Sequence, residues 1–111
     1  MKSDGHRRKA ERLERTMQKL DDDADYETII EASYAAAVHY IAVISERRKK
    51  KHLDTHKGLA KFLDETDLGD LATPFREVEL LRTAKYYGGQ GNGKSAWEAT
   101  RILAEIKTKL H

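Results

Sequence analysis

The segment from residue 26 to residue 51 carries the longest helical pattern in the chain, and it is apolar on two faces. One stripe consists of side chains three or four residues apart, namely Tyr26, Ile30, Ser33, Ala37, Tyr40 or Ile41, and Ile44. A second stripe consists of Ile29, Ala32, Ala36 and Val43. Because a helix with two apolar faces needs neighbours on more than one side, this segment is predicted to lie at the centre of a helical domain.

Four further helices are expected around this central one. Residues 6–20 have an amphipathic pattern, and short helices are predicted to begin at Asp54 or Thr55, at Thr73-Pro74 and at Ser95. Ser95 and Glu98 have the spacing of a capping box. We found no plausible strand pattern. Residues 1–111 are therefore predicted to form one all-α domain, an antiparallel four- or five-helix up-and-down bundle.

Composition narrows the classes of protein that this chain can represent. Hydrophobic residues make up 39% and charged residues 36%, so neither a disordered chain nor a membrane span is expected. The absence of cysteine excludes disulfides, thiolate metal ligands and cysteine nucleophiles. The N-terminal segment lacks the apolar core of an export signal, so we expect a cytoplasmic protein without membrane contact. The net charge of +2 means that any nucleic-acid binding must depend on a local basic patch.

The stretch from Gly88 to Ser95 fits the GxxxxGK[ST] pattern of phosphate-binding loops. That loop normally follows a buried strand, whereas here the preceding residues have a helical period. Only sixteen residues follow Ser95, too few to supply the remaining strands. The stretch is therefore predicted to be a linker before a helix, at whose start Lys94 could still attract an anion.

A basic run ends the central helix. It consists of Arg47, Arg48, Lys49, Lys50 and Lys51, and His52 follows it. Such a run can contact phosphate groups, although a solvated helix end has the same composition. His52 and His56 are four residues apart, but Leu53 stands where a metalloprotease has its glutamate, and no third ligand is indicated. Neither a metal nor a cofactor is therefore predicted. His39 lies among apolar residues and is interpreted as a core or groove histidine.

The order of these motifs resembles the HEPN domain family. Residues 26–40 are similar to the family's second helix, which is rich in tyrosine and small residues. Thr55-His56-Lys57-Gly58-Leu59 resembles the entry to its next helix, and residues 79–86 resemble a later segment. The matching positions singled out by these motifs are Tyr34, His56, Arg82 and Tyr86. The resemblance covers about residues 10–110 and implies an antiparallel helical bundle that is often dimeric.

Two kinds of activity follow from this resemblance. Some HEPN domains are metal-independent ribonucleases in which four to six residues separate an arginine from a histidine, but no histidine stands at that spacing after Arg82. Others are non-catalytic partners of nucleotidyltransferases in toxin–antitoxin pairs, or bind nucleotides. We therefore expect a non-catalytic module that binds a partner, a nucleotide or a nucleic-acid phosphate. The alternative is a ribonuclease that uses Arg47 and His52, which fit the spacing elsewhere in the chain.

The two apolar faces of the central helix also predict that the chain associates with another molecule. A homodimer, or a heteromer with a nucleotidyltransferase, would cover the second apolar face of the central helix. Tyr34 and Tyr40 are the residues expected at that interface, since tyrosine combines a large rigid ring with a polar tip.

Overall fold

The computed structural model describes residues 1–87 and 93–110, and the side chains of residues 84–87 lie outside this description. The elements are α1 (Ser3–Met17), α2 (Tyr26–Lys49), α3 (Leu59–Glu65), α4 (Gly69–Tyr87), α5 (Gly93–Lys107) and a final 3₁₀ turn (Thr108–Leu110). Every regular element within the described ranges is helical. The prediction of an all-α domain is therefore confirmed, with five α-helices.

Helix α2 is the centre of the fold, as its two apolar faces predicted. Helices α1, α4 and α5 and the 3₁₀ turn all pack against it. Twelve of its 24 residues are buried. Among the described helices, α2 alone has the length and apolar composition of a membrane span, but 72% of its most apolar window is buried in the bundle. Burial of that kind is what the core helix of a bundle shows.

The burial of α2 corrects the predicted interface role of its tyrosines. Tyr34 is 5% exposed and Tyr40 is fully buried within the single chain. The Tyr40 hydroxyl donates a hydrogen bond to the Glu14 carboxylate on α1. Because neighbouring helices already cover both rings, these two side chains cannot form an interface with a second molecule without unpacking the bundle.

Helix α4 begins earlier than the Thr73-Pro74 signal indicated. It starts at Gly69 and contains Pro74 in its second turn. Proline lacks the N–H that would bond to the carbonyl four residues back, which usually disfavours this position. Here the first turn of the helix carries Leu71 and Ala72, which are both buried in the core. Burial of these side chains therefore outweighs the missing hydrogen bond.

The Ser95–Glu98 capping box is also absent. Helix α5 begins at Gly93, so Ser95 is its third residue and lies too far along to cap the first turn. The Glu98 carboxylate instead accepts a hydrogen bond from Nε of Arg101, 3.0 Å away and one turn along the same helix. The residues before Gly93 that complete the glycine-rich stretch lie outside the described residues. The segment that precedes them is the helix α4, as predicted, and not a strand.

The connection between α2 and α3 is longer than predicted, and it positions the candidate site. Helix α2 ends at Lys49 and is followed by Lys50, whose φ of 59° is left-handed. Helix α3 begins only at Leu59, after Gly58 with φ of 76°, and not at Asp54 or Thr55. Positive φ is a conformation that glycine adopts without strain. Residues 50–58 therefore form a connecting segment, which brings His52 and Asp54 to the start of α1 and His56 beside Tyr34 on α2.

Candidate functional site

Two histidines from separate segments of the chain meet at one carboxylate oxygen of Asp54. Nε2 of His6, on α1, lies 2.8 Å from Oδ1 of Asp54. Nε2 of His52 lies 3.0 Å from the same oxygen. His52 and Asp54 come from the α2–α3 connection, which crosses the start of α1. We call these three residues the histidine–aspartate cluster.

On the buried side of the cluster, His6 pairs with a further histidine, His39. His6 is only 1% exposed, and its Nδ1 lies 2.7 Å from Nδ1 of His39 on α2. Burial lowers the pKa of His39, and the neighbouring His6 and Lys9 lower it further. His39 is therefore neutral near pH 7, and a single proton shared by the two Nδ1 atoms satisfies this contact.

The outer side of the cluster is more polar. Nδ1 of His52 lies 2.9 Å from Oε2 of Glu46, and this hydrogen bond is the main cause that raises the pKa of His52. The Met1 ammonium donates to Oδ2 of Asp54 at 2.9 Å. This contact, followed by the hydrogen bond from His6, holds the pKa of Asp54 well below its usual range. Asp54 is therefore an ionised carboxylate that accepts hydrogen bonds on both oxygens.

A cavity of about 450 Å³ lies beside the cluster, between α2, α4 and the α2–α3 connection. We call it the α2–α4 cavity. Its wall includes His39 and Asp54, which also take part in the contacts described above. The other polar side chains that line it are Glu31, Tyr34, Thr55, His56 and Arg82. The cavity and the histidine–aspartate cluster are thus two neighbouring features that share a wall.

The ring of Tyr34 organises one side of this cavity. The His56 ring meets it at a steep angle, with centroids 5.9 Å apart, and Cζ of Arg82 lies 4.8 Å from its centroid. Nε of Arg82 donates to Oε1 of Glu31 at 3.1 Å, which orients the guanidinium over the ring. A cation over an aromatic face is a stabilising arrangement.

The Tyr34 hydroxyl is a buried polar group without a hydrogen-bond partner among the described residues. Burial is the main cause that raises its pKa to about 12. Most buried hydroxyls in folded proteins have a partner, so this group is an exception, and it belongs to a residue that lines the cavity.

Three of the four positions that the family resemblance singles out therefore come together. Tyr34, His56 and Arg82 are far apart in the sequence and line the same cavity. Tyr86 belongs to α4, but its side chain lies outside the described residues.

The basic run is less available to phosphate than its sequence suggests. Arg47 donates a hydrogen bond to the carbonyl of Leu110. Arg48 forms an ion pair of 2.8 Å with Asp70, and Lys49 lies 3.7 Å from Asp67. Lys50 and Lys51 are exposed, and no ion pair within the described ranges engages them. Lys94 is exposed in the first turn of α5 and belongs to a different element from this run.

Arg47 and His52, the pair of the ribonuclease alternative, form hydrogen bonds with different residues. Arg47 contacts the 3₁₀ turn, whereas His52 contacts Glu46 and Asp54. In the part of the chain that the structure describes, no hydrogen bond joins Arg47 to His52. His52 and His56 also lie in different places, because one belongs to the cluster and the other to the wall of the cavity.

Sequence reasoning did not single out His6 and Asp54, and it saw His39 only as a core or groove histidine. A signal for His6 does exist, because positions 6, 10, 13 and 17 continue one stripe of α1, and His6, Ala10 and Met17 on it are buried. A histidine on a buried stripe needs a polar partner. Asp54 gives no comparable signal, since it lies in an irregular segment.

No family model, no curated protein and no solved structure matches this chain. The HEPN family therefore stays an expectation from the sequence motifs.

Proposed function

We propose that the protein is a non-catalytic helical module that binds a nucleotide or a nucleic-acid phosphate in the α2–α4 cavity. The observation that carries this proposal is that Arg82, His56 and Tyr34 line one concave site. A guanidinium is a planar donor that suits phosphate oxygens, and the exposed imidazole ring of His56 offers a face for a base.

The two carboxylates in the cavity wall do not oppose the binding of an anion as free charges. Glu31 pairs with Arg82, and Asp54 accepts hydrogen bonds from His6 and His52. The volume of about 450 Å³ lies within the usual range of small-ligand pockets. A site of this size suits one nucleotide unit, either free or at the end of a strand.

The test replaces Arg82 by glutamine, which keeps most of the side-chain length and removes the charge. A charge-assisted hydrogen bond contributes about 1.5–3 kcal/mol, so we expect Arg82→Gln to weaken nucleotide binding by about 10- to 100-fold. Isothermal titration with AMP and ATP, and anisotropy of a labelled single-stranded hexanucleotide, measure this effect.

The matched control is Arg76→Gln on the same helix. Arg76 is half exposed and pairs with Asp64, away from the cavity wall. Its replacement should leave nucleotide binding unchanged. If the unmodified protein binds none of these probes, or if both variants bind as well as it does, the proposal is wrong.

We further propose that the chain associates through α4 and α5. With Tyr34 and Tyr40 buried, the large apolar side chains that remain exposed in the described parts of the helices are Leu80 on α4 and Trp97 on α5, at 69% and 57% exposure. Exposed tryptophan is enriched at protein interfaces. The occupant that we propose is a second copy of the chain. The resemblance implies a nucleotidyltransferase as the other candidate, and co-purification with such an enzyme would support it instead.

Light scattering at micromolar concentration measures the homodimer directly. The monomer mass is 12.7 kDa, and we expect a mass near twice that value. The variant Trp97→Ser should return the mass to that of the monomer, because it removes a large exposed apolar side chain. A monomeric mass for the unmodified protein would contradict self-association.

A further inference from the structure

We propose that the histidine–aspartate cluster binds a divalent transition-metal ion, with Zn²⁺ as the best fit. Nε2 of His6, Nε2 of His52 and a carboxylate oxygen of Asp54 all lie within 4.8 Å of one another. The sequence pattern predicted no metal, because the ligands come from two separate segments and no motif connects them. The fold, and not a local spacing, brings these three donor atoms together.

The distances within the cluster are close to those of a metal site. With bonds of about 2.0–2.1 Å, two ligands of a tetrahedral Zn²⁺ lie roughly 3.3 Å apart. The two nitrogen–oxygen distances to Asp54 are 2.8 and 3.0 Å. The ligands must therefore separate by about half an ångström. Asp54 can make this movement, because its side chain is 55% exposed and lies in the irregular connecting segment.

The residues that face Nδ1 of His6 and of His52 orient both rings as metal ligands. A ligating histidine generally bonds through its second ring nitrogen to a carboxylate or another acceptor. Nδ1 of His52 faces the Glu46 carboxylate, and Nδ1 of His6 faces Nδ1 of His39. With protons placed on both Nδ1 atoms, both Nε2 lone pairs point toward Asp54. His39 is then a positioning residue, whose neutral ring accepts the Nδ1 proton of His6.

The types of ligand select the class of metal. Imidazole nitrogens suit zinc and its neighbours in the first transition row, whereas Mg²⁺ and Ca²⁺ prefer sites made of oxygen. Three protein ligands leave a fourth position for water or another group. Because Asp54 also lines the α2–α4 cavity, the ion would lie at the wall of that cavity.

The proposal is tested with the metal alone, on the full chain without a histidine tag. After treatment with a chelator, titration with ZnCl₂ should show one ion per chain by calorimetry, and MgCl₂ should show no comparable binding. Co²⁺ should give the visible absorption of a tetrahedral site with nitrogen and oxygen ligands. Failure to bind nucleotides would not affect these measurements, so the two proposals can fail separately.

Two variants and one matched control locate the ion. Asp54→Asn and His52→Gln change exposed or partly exposed residues, and each should weaken Zn²⁺ binding by at least about tenfold. His56→Gln changes another histidine of the same connecting segment that is not part of the cluster, and it should leave Zn²⁺ binding unchanged. Absence of Zn²⁺ binding by the unmodified protein overturns the proposal. Equal Zn²⁺ binding by all four proteins also overturns it, since the ion would then occupy another site.

Discussion

We expect the substitution Phe75→Ala to lower the free energy of unfolding by about 3–5 kcal/mol, because it leaves a cavity between α4 and α2. Phe75 is 1% exposed, and its ring lies 5.8 Å from the ring of Tyr34. A domain of this size is typically stable by only about 5–15 kcal/mol, so the loss would be a large part of the total. Denaturation by urea, followed by circular dichroism, measures the change.

The matched control for this effect is Thr73→Ala, on the same helix. Thr73 is exposed and is not one of the residues at the proposed association surface, so its replacement should change the free energy of unfolding by no more than about 0.5 kcal/mol. If both variants lowered the free energy of unfolding by the same small amount, α4 would not pack against α2 through Phe75 as the structure shows. The comparison also bears on the α2–α4 cavity, because Phe75 supports the Tyr34 ring from the core side.

The centre of the fold could be predicted because its signal is repeated along a long helix. The two apolar stripes of residues 26–51 determine both that α2 is helical and that it has neighbours on several sides. Helix ends were harder to predict, because a cap is a signal of only one or two residues. Pro74 and Ser95 fit the start of a helix locally, but α4 and α5 begin earlier.

The candidate sites could be predicted only in part, for a related reason. The motif positions Tyr34, His56 and Arg82 were identified one by one, and their meeting at one cavity depends on how α2, α4 and the connecting segment pack. The histidine–aspartate cluster depends in addition on the turn at Lys50, where φ is 59°. Non-glycine residues adopt positive φ rarely, so nothing in the sequence indicates where this turn directs the following residues.

The two proposed sites are neighbours, and this affects how variants should be chosen. Asp54 and His39 belong to the wall of the cavity and to the contacts of the cluster. A substitution at either residue would change both sites at once. Arg82 and His52 each take part in only one of the two sites, so they separate nucleotide binding from metal binding.

The buried Tyr34 hydroxyl leads to a second large effect, which should appear in alkaline solution. Its pKa is raised from 10.0 to about 12, mainly by burial. Between these two pH values the folded protein holds the phenolic proton while the unfolded chain releases it. Stability should therefore be independent of this group below pH 10 and should fall as the pH rises from about 10 toward about 12. Urea denaturation at several pH values in this window measures the fall.

The variant Tyr34→Phe isolates this effect from other groups that titrate at high pH. It lacks the titrating hydroxyl, so its stability should fall less steeply than that of the unmodified protein above pH 10. Near pH 7 it should lose little stability, because the hydroxyl has no hydrogen-bond partner among the described residues.

Tyr40→Phe is the contrasting variant, since the Tyr40 hydroxyl donates to the Glu14 carboxylate, and its removal should cost about 1.5–3 kcal/mol near pH 7. Equal losses of stability near pH 7 for the two variants would mean that the Tyr34 hydroxyl has a hydrogen-bond partner in solution. If stability falls in parallel above pH 10 for Tyr34→Phe and for the unmodified protein, the pKa of Tyr34 is not raised.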